Sequence, residues 1–134
     1  MLQNPAQFIK AGKAIFTIQN VETGNRFTYK AKKADKDDVW FISVLNGPDN
    51  YSNYQYIGCL FGDDFRLTKK SKITRDAPSY KAFAWTWTRL QQNNLPFNVE
   101  IHHEGRCGRC GRRLTVPSSI ETGYGEECAK IIGG

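Results

Sequence analysis

The residues best suited to chemistry lie close together in the C-terminal part of the sequence. Two residues separate Cys107 from Cys110, so both thiolates can reach one ion if the backbone turns sharply between them. Gly108 and Gly111 are predicted to supply the positive φ angles that such a turn needs. Cys128 is predicted to lie in the first turn of a short C-terminal helix, whose N–H groups favour a thiolate. This order of knuckle, intervening segment and helix start predicts a treble-clef-like zinc unit.

A tetrahedral zinc site needs a fourth donor, and the residues after Cys128 offer none. If residues 99–103 are extended, His102 and His103 point to opposite sides of the strand, so only one can face the ion easily. The spacing to the knuckle favours His103, with His102 as the alternative. Cys59 is less suited, because its apolar neighbours indicate an ordinary buried thiol. The predicted Zn²⁺ ligands are therefore His103, Cys107, Cys110 and Cys128.

The chemistry of this donor set favours a structural site over a catalytic one. Three cysteines and one histidine leave no open position, and three thiolates weaken the Lewis acidity that hydrolysis needs. His102 and Glu104 form an H-x-E pattern like that of zinc deaminases, but the cysteine pair follows it too closely for that family's arrangement. The sequence contains no evident nucleophile–base pair, phosphate loop or catalytic carboxylate cluster. We therefore expect a protein that is not an enzyme.

The rest of the sequence predicts an α+β fold with an antiparallel sheet of four to five strands and one packed helix. Residues 1–98 are predicted to form a β-rich domain containing a helix over residues 77–92. Residues 99–134 are predicted to form a zinc-binding unit packed on that domain. Residues 39–45 are apolar on both faces, which predicts a central strand covered on both sides. Trp85 lies off the apolar stripe of the helix, and we expect it to pack against the cysteine unit.

The C-terminal segment also resembles a known sequence pattern. The stretch HEGRCGRCGRRLTVPSSIETGYGEECA is similar to a motif in uncharacterised small proteins encoded by bacteriophages, a family of unknown function. The resemblance favours His103 over His102 as the ligand. It implies a phage protein in the cytoplasm of its host, but it implies no particular activity.

The net charge of +6 is unevenly distributed. Residues 1–99 carry 14 lysines and arginines against 8 acidic residues, whereas residues 100–134 carry five of each. A basic surface suits nucleic acid or an acidic protein partner, although it equally suits simple solubility. The sequence has no apolar run of about 18 residues, so no membrane span is expected. It has no evident signal peptide either, and clustered cysteines suit a reducing compartment, so we expect a cytoplasmic protein.

Two functions remain open at the level of the sequence. The first is a non-enzymatic accessory protein that binds nucleic acid, because basic groups neutralise phosphates and aromatic rings stack on bases. The second is a phage inhibitor or modulator that binds a host protein complex, such as a defence system. Near the cysteines, arginines either contact phosphates or offset the charge of the thiolates, and Tyr124 either stacks on a partner or caps a small core. The candidate binding residues are Arg26, Lys30, Lys32, Lys69, Lys70, Lys72, Tyr51, Arg109, Arg112 and Tyr124.

Overall fold

Six strands and four helices make up the part of the chain that the computed structural model describes, residues 1–48 and 53–133. In order they are α1 (Pro5–Ile9), β1 (Lys13–Asn20), β2 (Arg26–Lys33), β3 (Val39–Leu45), β4 (Tyr54–Phe61), β5 (Asp64–Arg66), α2 (Pro78–Gln91), β6 (Val99–His103), α3 (Pro117–Thr122) and α4 (Glu126–Ile132). The strands form one antiparallel sheet in the order β5-β4-β3-β2-β1-β6. The α+β class and the antiparallel sheet are therefore confirmed.

The sheet has one strand more than the four to five that we predicted, and the additional strand is β6. It pairs with β1, with His103 opposite Phe16 and Ile101 opposite Ile18. Val99 and Ile101 are buried on the same face as Phe16. Their burial explains why a strand that follows the helix returns to the sheet. The residues that lead into the cysteines are thus fixed by the main sheet.

One face of the sheet is covered by α2, which begins with Pro78 at its first position. Its bounds agree closely with the predicted helix over residues 77–92. Phe83 packs against the rings of Phe16 and Tyr29, with ring centroids 6.2 and 5.3 Å apart respectively. The Tyr29 hydroxyl donates to the Ser79 carbonyl over 2.6 Å. This aromatic core and its hydrogen bond fix the helix across the middle of the sheet.

The other face of the sheet, which we call the open face, carries the side chains that point away from α2. Our prediction that β3 would be covered on both sides is wrong. Ile42 is fully buried under the helix, but the neighbouring Phe41 points to the open face and is 45% exposed. An all-apolar strand sequence does not show whether both faces of the strand are buried. A strand with one buried face and one half-exposed aromatic face has the same kind of sequence.

Residues 104–133, which we call the cysteine unit, dock on α1 and on the start of β1. Phe8 of α1 is fully buried and lies 5.6 Å from the ring of Tyr124, centroid to centroid. The Lys13 N–H donates to the Gly108 carbonyl over 2.8 Å. The expected contact between Trp85 and the cysteine unit is wrong, because Trp85 is 43% exposed and packs against Arg89. The short N-terminal helix provides the contact instead.

Candidate metal centre

The turn that carries Cys107 and Cys110 is tied by backbone hydrogen bonds. The Cys107 N–H donates to the Arg112 carbonyl over 2.8 Å, and the Gly111 N–H donates to the Cys107 carbonyl over 2.9 Å. Gly111 has φ of 80°, as predicted. Gly108 has no positive φ, so that part of the prediction is wrong. Instead, a Cβ at Gly108 would lie only 2.5 Å from the ring of Phe8. Gly108 is needed for close approach rather than for backbone freedom.

The third cysteine comes from the start of α4, where Gly125 is the N-cap and Cys128 lies in the first turn. The sulfur atoms of Cys107, Cys110 and Cys128 all lie within 4.8 Å of one another. Cys107 and Cys128 are buried, whereas Cys110 is exposed. The three cysteines therefore form a cluster that could hold a metal ion, as the sequence predicted.

The predicted fourth ligand, His103, lies outside this cluster. Its Nδ1 accepts a hydrogen bond from the Gly105 N–H over 2.9 Å, so its Nε2 carries the proton that it donates to the Ile120 carbonyl. Both ring nitrogens are therefore occupied away from the sulfurs. The alternative, His102, points to the open face and pairs with Glu100 over 2.9 Å. Neither histidine belongs to the group of donor atoms that the structure brings together.

The surroundings of the sulfurs lower the pKa of Cys107 and raise the pKa of Cys128. Burial raises the pKa of the Cys107 thiol, but backbone N–H groups of Cys110, Gly125 and Arg109 outweigh it and lower the pKa to about 7. Burial raises the pKa of Cys128, although the Arg109 guanidinium donates to its Sγ over 3.5 Å and opposes that effect. Three thiolates so close together repel each other. A divalent cation between them removes this repulsion, so the donor set fits a thiophilic metal.

The structure separates the two predicted roles of the residues near the cysteines. Tyr124 is only 8% exposed and packs on Phe8, so our expectation that it contacts a partner is wrong. Arg109 is exposed but engages Cys128, which agrees with its role in offsetting thiolate charge. Arg112 is exposed, and it lines a cavity beside Cys110.

The remaining predicted residues belong to the sheet and to one loop. Arg26, Lys30 and Lys32 all point to the open face, as the alternation of β2 predicted. Lys69, Lys70 and Lys72 are exposed in the loop after β5, whereas Tyr51 lies outside the described residues. Sequence reasoning missed Phe41 and Phe61, which are 45% and 43% exposed on the open face. The sequence held no clear signal for them, because both strands are apolar on both faces and the residues before Phe61 are buried without alternation.

The fold and the cluster together define an α+β protein with a cysteine-based candidate metal site next to one edge of its sheet. Residues 100–133 match the model of a family of unknown function (DUF6011). This segment contains the whole cysteine unit and all of β6 except Val99, so a resemblance to a family of unknown function is confirmed there. Comparisons with curated proteins and with solved structures found no match. Among residues 1–48 and 53–133, no helix combines the length and apolar character that crossing a membrane requires.

Proposed function

We propose that the protein is a non-enzymatic, zinc-stabilised nucleic-acid-binding protein, and that a single strand of DNA or RNA binds on the open face. The observation that carries this proposal is the alternation of lysines with partly exposed aromatic rings across β2, β3 and β4. Surfaces that bind single strands combine basic groups, which contact phosphates, with aromatic rings, on which bases stack.

The register of the strands brings these two kinds of side chain together. Lys32 lies opposite Phe41 in the pairing of β2 with β3. The ring centroid of Phe41 lies 6.4 Å from that of Tyr56, and the Lys30 ammonium lies 4.4 Å from the ring centroid of Tyr54. Ammonium groups and aromatic rings are therefore neighbours, as base and phosphate are neighbours in a nucleotide.

The loop after β5 adds positive charge at the other side of the aromatic rings. The Lys72 N–H donates to the Tyr56 carbonyl over 3.1 Å, and the hydroxyls of Tyr56 and Thr68 are hydrogen-bonded over 3.0 Å. These bonds hold the loop, with the exposed Lys69 and Lys70, against β4. Basic groups from β2 and from this loop thus flank the aromatic centre on two sides.

Acidic side chains on the open face limit the surface that we propose. Glu104 accepts a hydrogen bond from the Thr17 hydroxyl over 2.8 Å, and Glu100 lies opposite Gln19 on β6. Both carboxylates lie toward the β6 edge and would repel phosphates. The proposed contact surface therefore comprises β2, β3 and β4 rather than the whole sheet.

Zinc is the metal that we propose for the cysteine cluster, and its role is structural. A knuckle followed by a thiolate at a helix start is typical of treble-clef zinc units, and thiolates select zinc over harder cations. Leu114, Cys107, Tyr124 and Cys128 are the buried hydrophobic residues of the cysteine unit. Because so few apolar groups are buried there, metal binding would supply much of the unit's stability.

A second candidate function is binding to a protein complex of a host cell, and a separate surface favours it. A cavity of about 680 Å³ lies beside α2 and the β1–β2 turn, with Trp85, Phe27 and Val99 in its lining. Phe97, which is 92% exposed, lies just before Val99 in the chain. Exposed aromatic groups of this kind occur in protein interfaces. In either case we propose action in the cytoplasm, of an infected cell if the protein is phage-encoded, where clustered thiols stay reduced.

Fluorescence anisotropy with labelled single-stranded oligonucleotides over a range of salt concentrations tests the first function. The variant Lys30→Gln/Lys32→Gln removes two ammonium groups of the open face. Lys81→Gln/Lys130→Gln removes two exposed lysines from α2 and α4 and serves as the control with the same net charge. Each phosphate contact contributes about 0.7 to the salt slope of single-strand binding, so the first variant should lower that slope by about 1.4.

The control variant should leave the slope nearly unchanged. Equal losses in both double variants would indicate attraction by net charge alone and would contradict the open-face site. No binding of the wild-type protein at low salt would exclude the first function. Capture of a host complex that Trp85→Ala abolishes would then support the second.

A further inference from the structure

The cysteine cluster supplies three donor atoms for a metal ion that would normally take four. Among the described residues, no histidine, aspartate or glutamate joins the three sulfurs within 4.8 Å. The nearest candidate by sequence, His103, uses Nδ1 and Nε2 in hydrogen bonds to Gly105 and Ile120. The bond to the Ile120 carbonyl joins the end of β6 to α3, so His103 positions the cysteine unit rather than contributing a donor atom.

A cavity lies directly beside the cluster, on the side of the exposed Cys110. It has a volume of about 280 Å³, and Cys110 and Cys128 are both part of its lining. A water molecule occupies roughly 30 Å³ in the liquid, so the cavity has room for several waters or for a five-membered ring. A ligand that enters this cavity can therefore approach two of the three sulfurs.

Opposite charges balance in the lining of this cavity. Arg112 and Arg113 contribute two positive charges, and Glu126 and Glu127 contribute two negative charges. A divalent cation with three thiolates carries a net charge of −1, and the guanidinium of Arg109 lies beside Cys128 to offset it. A neutral ligand leaves this balance undisturbed, whereas an anionic ligand adds a charge that no nearby group compensates.

We propose that the metal centre keeps a fourth coordination position that opens into this cavity and accepts a neutral nitrogen donor, such as an imidazole group, from outside the chain. The proposal rests on the metal binding proposed above. It describes ligand binding and not hydrolysis, because three thiolates weaken the Lewis acidity of the ion. Imidazole is among the donors that suit zinc, so a histidine of a partner is the kind of group that fits.

Cobalt(II) substitution tests this proposal, because the visible absorption bands of Co²⁺ respond to the identity of its ligands. The wild-type protein loaded with one equivalent of Co²⁺ is titrated with imidazole and, separately, with acetate. We expect a saturable shift of the bands with imidazole and none with acetate. The variants Glu126→Gln and Glu127→Gln should leave the starting spectrum unchanged, and His103→Gln should respond to imidazole as the wild-type protein does.

Three outcomes would overturn the proposal in different ways. Bands that do not respond to imidazole would show that the position is closed. A response to imidazole in His103→Gln but not in the wild-type protein, or a changed starting spectrum in either glutamate variant, would identify that residue as the fourth ligand. A similar shift with acetate would exclude the preference for a neutral donor. Absence of any Co²⁺ binding would instead refute the metal site itself, which distinguishes that failure from the others. The titration uses the wild-type protein, so it does not depend on the folding of the variants.

Discussion

Gly108→Ala is the substitution that most directly tests how the cysteine unit docks on the rest of the protein. A Cβ at Gly108 would lie 2.5, 2.6 and 3.0 Å from three ring carbons of Phe8. The ring is fully buried between the cysteine unit and the sheet, so it cannot turn into solvent to make room. The added methyl group must therefore displace either α1 or the turn that carries Cys107.

The expected change combines two opposing contributions to the free energy of unfolding. Overpacking of a close-packed core costs about 1–3 kcal/mol. Replacing glycine by alanine also restricts the unfolded chain, which stabilises by about 0.4–1 kcal/mol where the backbone is compatible. The midpoints of these two ranges predict a net loss of about 1.3 kcal/mol for Gly108→Ala, and the extremes allow up to about 2.6 kcal/mol. Metal affinity should fall with it, because the knuckle moves.

Urea unfolding of the metal-loaded protein measures the change in stability, and competition with a colorimetric chelator measures the change in affinity. Gly125→Ala is the matched control, since a Cβ there meets no atom within 4 Å. Gly125 is the N-cap of α4, where alanine is less favourable than glycine. This cost offsets the stabilisation that alanine gives by restricting the unfolded chain. Its net effect should stay within about 0.5 kcal/mol.

The double variant Gly108→Ala/Phe8→Leu identifies the atoms responsible. A smaller side chain at position 8 makes room for the new methyl group, so the cost of Gly108→Ala should shrink in the Phe8→Leu background. An unchanged cost in that background would refute the contact with Phe8 as the cause. Gly108→Ala with wild-type stability would refute the docking geometry as a whole.

Three further predictions concern the buried hydroxyls and the metal. The Tyr124 hydroxyl is buried without a hydrogen-bond partner among the described residues, so Tyr124→Phe should be neutral or stabilise by about 1 kcal/mol in thermal unfolding; a clear loss would reveal a missed partner. Tyr29→Phe removes the hydrogen bond to the Ser79 carbonyl and should destabilise the protein by about 1 kcal/mol. Tyr80→Phe is the control, because Tyr80 lies next to Ser79 on α2. Chelation of the metal should make residues 104–133 sensitive to protease while the sheet stays resistant, as mass spectrometry of the fragments would show; unchanged cleavage would argue against a structural metal.

The parts of the fold that the sequence predicted well are those governed by local patterns. The alternation of β2 placed Tyr29 in the core and Lys30 outside, and the apolar stripe with Pro78 gave α2 nearly its full length. The pairing of β6 with β1 was not predictable in this way, because about 80 residues separate the two strands and no local signal records the contact. The prediction for Trp85 was wrong for the same reason, because no local signal shows which distant element a side chain contacts.

The candidate site was predicted where spacing alone decides the geometry. Two cysteines in a knuckle must lie close together, whereas His103 was assigned by its distance along the chain to Cys107. Chain distance does not show whether the His103 ring contacts the metal or another part of the protein. In the structure its Nε2 donates to the carbonyl of Ile120, 17 residues further along the chain, instead of facing the sulfurs. The role of Gly108 depends on Phe8, a residue about 100 positions away, and so it too was beyond the reach of spacing rules.

The position of β6 at the edge of the sheet has a consequence for the synthesis of this protein. Until residues 99–103 leave the ribosome, β1 presents one edge without its native partner, and such an edge invites pairing with other chains. Translation proceeds at about 5–20 residues per second, so the roughly 80 residues between β1 and β6 take about 4–16 s to add. During that interval α1 also lacks the surface on which Phe8 packs. Completion of the sheet is therefore a late event in the synthesis of the chain.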